Sequence, residues 1–456
     1  MSKISIIGAG SAVFSLNLIK DLCLTPGLWD STLSLMDIDA ERLDIIYRLA
    51  TRYTQELAID LDVEQTTRLE TALQDADFVI NTAYVKGHEY AQRIRDTAAQ
   101  HGYYYYRDHY SIPEPGPPAL TNFEQLNVTR NIAQQMERLC PHAYLLQASN
   151  PVFELTTLLS RITSIKICGI CHGHLHYRDI ASTLNLDPAQ VTFEAPGLNH
   201  CIWLTRLHYQ GTDVYPLIDE WITTQAQEYW RTHVQTNPFD IQMSPAAVHQ
   251  YQLFGLFPIG DTVRSGGWWY HTDRRVKHRW FGHPWGGPDT EHSRPHHVHE
   301  LNQRRVTIKQ MLETDTPLSQ TLGSHRSLEQ HIPLIDALVN DHEETFQVNV
   351  LNSSVIPGLP DDVAVEVPAR VNKQGIHPQP IKALPRKLML EVLLPRWLAM
   401  EHLLETYLQG DRQMLLWNVL QYHHVVSLEA AEIVLDDWLR MPENRAARHH
   451  YTEPRV

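Results

Sequence analysis

The stretch Ile4-Ser5-Ile6-Ile7-Gly8-Ala9-Gly10-Ser11-Ala12-Val13-Phe14 decides the fold. An apolar strand runs into a glycine turn, and the amphipathic segment from Ser11 to Leu24 begins a helix behind it. Glycines let a backbone turn approach a pyrophosphate closely, and the following helix aims its N–H groups and positive dipole end at the phosphates. Val13 stands where a Gly-x-Gly-x-x-Gly fingerprint has its third glycine. The strand, turn and helix around the motif supply the context that the short string lacks. Thr32-Leu33-Ser34-Leu35-Met36-Asp37 reads as a second strand ending in an acid suited to a ribose 2′-hydroxyl, which favours NAD over NADP.

A chain of 456 residues has room for two domains with sizeable cores. With 43% hydrophobic and 20% charged residues, its composition is that of an ordinary globular protein. A net charge of −15 argues against a sequence-independent nucleic-acid partner, which needs a basic footprint. No run is long enough to span a bilayer and no segment reads as a signal peptide, so a cytoplasmic location is expected. Five cysteines (Cys23, Cys140, Cys168, Cys171 and Cys201) do not make a disulfide framework.

From residue 1 to 195 strands and helices alternate, the pattern of a Rossmann-like, doubly wound parallel sheet covered by helices on both faces. Ala76–Thr82, Ala143–Ala148 and Ile165–Ile170 read as further strands. Site residues in such sheets gather beyond the carboxyl ends of strands, and Asn81, Asn150 and Cys171 fall there. Tyr103–Tyr106 and the proline-rich Ser111–Pro118 read as a loop, in the position of a lid. After residue 195 the alternation fades. The expected division is a cofactor domain over 1–195 and an α+β domain over 196–456 that binds substrate and metal, the two packed as one compact unit.

Cys171-His172-Gly173-His174 and Gly197-Leu198-Asn199-His200 each place a soft or borderline metal ligand at the end of a strand. One cysteine with one or two histidines suits zinc, manganese or iron, leaving positions for water or substrate oxygens. A buried thiol and a hydrogen-bonded imidazole are equally compatible with the spacing.

In combination, Gly8-Ala9-Gly10-Ser11, Ser149-Asn150-Pro151, Cys171-His172, Gly197-Leu198-Asn199-His200 and Asn352-x-x-x-Ile356-x-x-Leu359-Pro360 resemble glycoside hydrolase family 4 in order and across nearly the whole chain. The resemblance implies a lactate/malate-dehydrogenase-like fold for the second domain. It also implies NAD and a divalent metal, usually manganese, and glycoside cleavage by redox elimination, an exception to the two-carboxylate scheme. Hydride removal at carbon 3 of the sugar acidifies the proton on carbon 2. A side-chain base takes that proton, the glycosidic oxygen is eliminated, water adds, and the hydride returns.

By the same resemblance Cys171 and His200 are the metal ligands, Asn150 holds the sugar hydroxyls, and Gly8, Gly10, Ser11, Asp37 and Asn81 line the cofactor. His172 occupies a position where members acting on unphosphorylated sugars carry histidine, and it is the candidate for assisting the leaving oxygen. The Cys-His-Gly-His string is similar to that of α-galacturonidases, which makes an α-galacturonide the preferred substrate, with His174 and an arginine meeting its carboxylate. Arg264, Arg274, Arg275 and Arg279 are the arginines of that region. Tyr251, upstream of Leu256-Phe257-Pro258, is the expected base at carbon 2. Pro115-Gly116-Pro117-Pro118 replaces a Gly-Pro-Gly-Gly loop of the family. Other glycones of the same family (glucuronide, galactoside, glucoside), a lactate/malate-dehydrogenase-like oxidoreductase and a non-catalytic NAD sensor are the competing readings. Homodimers or homotetramers are the family habit.

Overall fold

The computed structural model describes residues 2–102, 118–421 and 427–452. The tyrosine run at 103–106 and the proline-rich segment at 111–117 lie outside the described residues; Pro118 opens the short helix Pro118–Thr121. In chain order the strands are β1 (Lys3–Ile7), β2 (Thr32–Met36), β3 (Asp62–Thr66), β4 (Phe78–Asn81), β5 (Tyr144–Gln147), β6 (Lys166–Gly169), β7 (Val191–Glu194) and β8 (Gly197–Leu198). They continue with β9 (Cys201–Leu204), β10 (Arg206–Tyr209), β11 (Thr212–Asp213), β12 (Phe257–Ile259), β13 (Glu344–Leu351), β14 (Ala364–Asn372) and β15 (Gly375–Pro378).

The first six strands pair in parallel in the order β3-β2-β1-β4-β5-β6, the doubly wound arrangement expected from the alternating sequence. Strand β4 is buried throughout its length, as befits a parallel strand covered on both faces. The register sets Ile7 beside both Met36 and Asn81, so the carboxyl ends of β1, β2 and β4 finish level and their loops meet at one edge. Between β2 and β3 the helix Ala40–Leu57 buries Leu43, Ile46, Leu49, Ala50 and Tyr53 at three- and four-residue spacing, and Asp39 caps it by accepting from the Arg42 N–H.

The sheet does not stop at the expected boundary near residue 195. Strand β13 adds antiparallel to β6, and β14, β8, β9 and β12 follow it, with β15 beside β14. Strands β7, β10 and β11 form a separate small sheet. The cores are shared in the same way: Ile4, Ile6 and Leu33 pack in one cluster with Ile335, Phe346 and Val348, and Phe153 and Leu158 pack with Trp203, Leu403 and Trp438. Backbone hydrogen bonding between β6 and β13 and these common cores make the two regions one unit around one sheet.

Within the second core Arg396 Nη1 lies 2.7 Å from Glu154 Oε1, both side chains being at most 3% exposed, with the guanidinium 4.7 Å from the Phe153 ring centre. Removing one partner leaves the other charge buried, which costs about 3–5 kcal/mol. Arg396→Met is expected to lower stability by that amount in urea titration, whereas Arg396→Met with Glu154→Leu recovers most of it. Among the described residues, no helix is long and apolar enough to cross a membrane.

Candidate active site at the carboxyl ends of the strands

The glycine turn is held by backbone bonds. Gly8 and Ala9 N–H groups donate to the Met36 carbonyl, and the Gly10 N–H donates to Asp37 Oδ2 at 2.8 Å. Gly8 has φ of 86°, and a Cβ there would sit 2.5 Å from the Ala83 Cα, so the turn requires glycine on both conformational and steric grounds. Ser11 is the N-cap of the helix Ala12–Cys23 and makes no side-chain capping bond; no acid occupies its first turn. Asp37 stands just past β2, its Oδ1 accepting from Asp39 N–H at 2.9 Å, so it braces the turn while each oxygen retains a second lone pair. A methyl at Gly10 would meet Asp37 Oδ2 at 2.8 Å and the Arg42 Cβ at 3.0 Å. Gly10→Ala is therefore expected to push Asp37 aside and weaken NAD binding by about tenfold or more in a fluorescence titration, from an overpacking cost of about 1–3 kcal/mol.

Asn81 ends β4 fully buried. Its Nδ2 donates to Gln147 Oε1 at 2.9 Å and its Oδ1 accepts from the Ala83 N–H at 3.2 Å. The expected contact with the cofactor thus becomes an indirect one: the amide ties β4 to β5 and shapes the turn beside Gly8. Gln147 in turn donates to the Ser149 carbonyl and hydroxyl, fixing the loop that carries Asn150. Asn150 Oδ1 is buried with no hydrogen-bond partner among the described residues.

Cys171 follows β6 by two residues and is partly exposed, as the expected strand end requires. Burial pushes its thiol up to about 12, with further upward contributions from the Glu366 and Asp261 carboxylates; the Gly173 N–H and the Asn199 amide bond to the sulfur and oppose them. Asn199 and His200 form the two-residue connection of the β8–β9 hairpin, where Leu198 pairs with Cys201. His200 has a left-handed backbone at φ of 61°, a conformation held at a cost and concentrated at functional sites. Its Nδ1 lies 3.4 Å from Asp261 Oδ2. Hence the hairpin turn brings the His200 imidazole to the Asp261 carboxylate, whose charge also acts on the Cys171 thiol.

Asp261 was not legible in the sequence. It follows β12 and Gly260, and Gly260 packs so closely on Gly173 that a Cβ would sit 2.6 Å from the Gly173 carbonyl oxygen. That approach sets Asp261 against the Cys171 turn. Arg264 clamps the carboxylate, Nε to Oδ1 at 2.8 Å and Nη2 to Oδ2 at 2.9 Å, while its Nη1 reaches Asp289. A Gly-Asp pair at a strand end was the available signal. Among the described residues no group of three or more His, Cys, Asp and Glu side chains is placed to hold a metal ion by itself.

The other expected site residues have the following surroundings. Tyr251, on the helix Pro245–Phe254, donates its hydroxyl to Asp219 at 2.8 Å and packs its ring near Tyr215 and Phe257. Burial and that carboxylate push its phenol up to about 12. His174 is 4% exposed, stacked on Phe193, and burial drives its imidazole down to about 3. Arg264 is committed to Asp261 and Asp289, and Arg274 and Arg275 line a surface hollow with His278 and His283. His172, by contrast, is largely exposed beside Cys171, its Nδ1 3.7 Å from Glu329 Oε1.

A dinucleotide-type turn at the carboxyl edge of a doubly wound sheet, with Cys171 at the end of another strand of that sheet, defines an α/β fold of the cofactor-binding class. The chain matches the model of family 4 glycosyl hydrolases over residues 3–185 and that family's C-terminal domain over residues 195–425. It belongs to this family of glycosidases. It is 28% identical to an alpha-galactosidase of Bacillus subtilis over 85% of each chain, and 22% identical to an alpha-galacturonidase of Lachnoclostridium phytofermentans over 90% of this chain and 89% of that one. The crystal structure of a 6-phospho-alpha-glucosidase from gut microorganisms, in complex with NAD and Mn2+, superposes with a TM-score of 0.77 at 18% identity, covering 99% of both chains.

Proposed function

We propose that the protein hydrolyses α-glycosides of unphosphorylated sugars, α-galacturonides first among them, with NAD and a divalent metal ion, manganese by preference. The observation that carries this reading is the packing of Gly260, next to Asp261 and its His200 partner, on the Cys171–Gly173 turn, at the carboxyl ends of the strands where the Gly8–Gly10 turn also lies. A thiol and an imidazole with an unpartnered Asn150 oxygen close by in the fold suit an open ion site completed by water and sugar oxygens. Bound NAD would take and return a hydride at carbon 3, and the ion would polarise the oxygens at carbons 2 and 3.

Cys171 and His200 then hold the ion, and Asn150 Oδ1 accepts a sugar hydroxyl. Asp261, the carboxylate beside His200, takes the proton from carbon 2 in place of Tyr251. Arg264 orients that carboxylate through two hydrogen bonds. His172, exposed next to Cys171, faces the leaving oxygen. The Gly8, Gly10, Ser11 turn and Asp37 receive the dinucleotide.

The Cys171-His172-Gly173-His174 string supports the uronide. An α-galactoside is the second reading, favoured by the 28% identical relative and by the neutral state of His174. The test is release of nitrophenol from p-nitrophenyl α-galacturonide and α-galactoside with NAD and manganese. Turnover is expected without accumulation of NADH, with loss on chelation and recovery on adding manganese. Turnover that persists without NAD or after chelation would exclude the redox-elimination scheme, and net NADH formation would make the protein a dehydrogenase.

A further inference from the structure

Glu366 lies in the middle of β14, 1% exposed, opposite Gly197 of β8 on one side and Asn349 of β13 on the other. Among the described residues no cation is bonded to it, and burial pushes its carboxyl up to about 7. Its Oε2 accepts from Asn199 Nδ2 at 2.8 Å and from Asn349 Nδ2 at 3.4 Å, while Oε1 is buried without a hydrogen bond. A carboxyl in mid-sheet is costly to keep, and an apolar residue of similar volume there is commonly neutral or stabilising. Its retention calls for a group that it orients.

That group is the Asn199 amide. Asn199 is buried and precedes His200 in the hairpin turn. A primary amide is planar, so fixing one N–H on Glu366 fixes the plane of the side chain and the turn that it anchors. We propose that Glu366 is a positioning residue for the ion-binding pair: through Asn199 it sets the turn that carries His200 beside the Cys171 site. Such outer partners of metal ligands typically govern affinity by about 10–100-fold. The inference rests on the reading of Cys171 and His200 as ion-holding donors.

Cobalt(II), added to the full-length protein, tests it, because a thiolate-to-cobalt charge-transfer band reports Cys171 ligation independently of turnover. Glu366→Leu is expected to keep its fold and its NAD affinity, to bind cobalt about 10–100-fold more weakly, and to show a diminished band. Glu366→Gln, whose carbonyl still accepts from Asn199, should bind close to wild type. Asn199→Ala should weaken binding as Glu366→Leu does, and the double variant should be no worse than either alone, as for two links of one chain. Wild-type cobalt affinity in Glu366→Leu, or losses that add in the double variant, would overturn the proposal. If Glu366→Leu does not fold, Glu366→Gln decides: a loss as large as that of Asn199→Ala refutes a positioning role. A wild-type protein without the thiolate band would remove the ion-site reading itself, and this inference with it.

Discussion

Cys171→Ser is expected to lower turnover of the α-glycoside by about 10³-fold or more while leaving NAD affinity unchanged. A hydroxyl replaces the soft donor with one that does not ionise near neutral pH, so the site keeps its shape and loses its grip on the ion. Several kcal/mol of charge stabilisation at the sugar oxygens disappear with it, which sets the size of the effect. The fold has little reason to change, since serine replaces a single atom of a partly exposed residue. Measuring kcat/KM, metal content and NAD binding on the same preparation checks this. Full activity in the variant, or loss of NAD binding in parallel, would contradict the separation of the ion site from the dinucleotide turn. A non-catalytic NAD sensor would tolerate the change.

Asp261→Asn is the second large effect, a fall in kcat of about 10²–10⁴-fold if its carboxylate takes the carbon 2 proton. Exchange of deuterium at carbon 2 of the substrate with water should fall in the same proportion, which separates a lost base from a misplaced sugar. Arg264 keeps both contacts of its Nη1 to Asp289, so it is not left buried without a counter-charge and the stability cost should be modest. Tyr251→Phe is the control. Its hydroxyl serves Asp219 on the helix Tyr215–Thr224, and its removal is expected to leave kcat near wild type. The reverse pattern, with Tyr251→Phe inactive and Asp261→Asn active, would restore the tyrosine as base.

The dinucleotide turn, the parallel strands and the positions of Asn150 and Cys171 were legible because they depend on neighbours in the chain. A strand, a glycine turn and a helix start are local preferences that twenty residues suffice to express. The surroundings of Asn81 and His174 were not legible, for the opposite reason. An amide or an imidazole looks the same in sequence whether it faces a ligand or a buried partner, and only burial against Gln147 or Phe193 distinguishes the two. Asp261 and Glu366 left almost no sequence signal, since each reaches the site through a contact between distant segments, Gly260 on Gly173 and Glu366 on Asn199.

By itself, then, the sequence determined that a doubly wound sheet opens the chain with a glycine turn beside an acid, and that a thiol and an imidazole follow at strand ends. Tertiary structure alone decided that the sheet runs on through β13, β14, β8 and β9, that Asp261 lies beside the His200 imidazole, and that the Tyr251 hydroxyl bonds to Asp219. The physical reason is range. Backbone preference and hydrophobic period act over a few residues, whereas antiparallel pairing and the satisfaction of buried polar groups are settled only when segments more than a hundred residues apart are packed together.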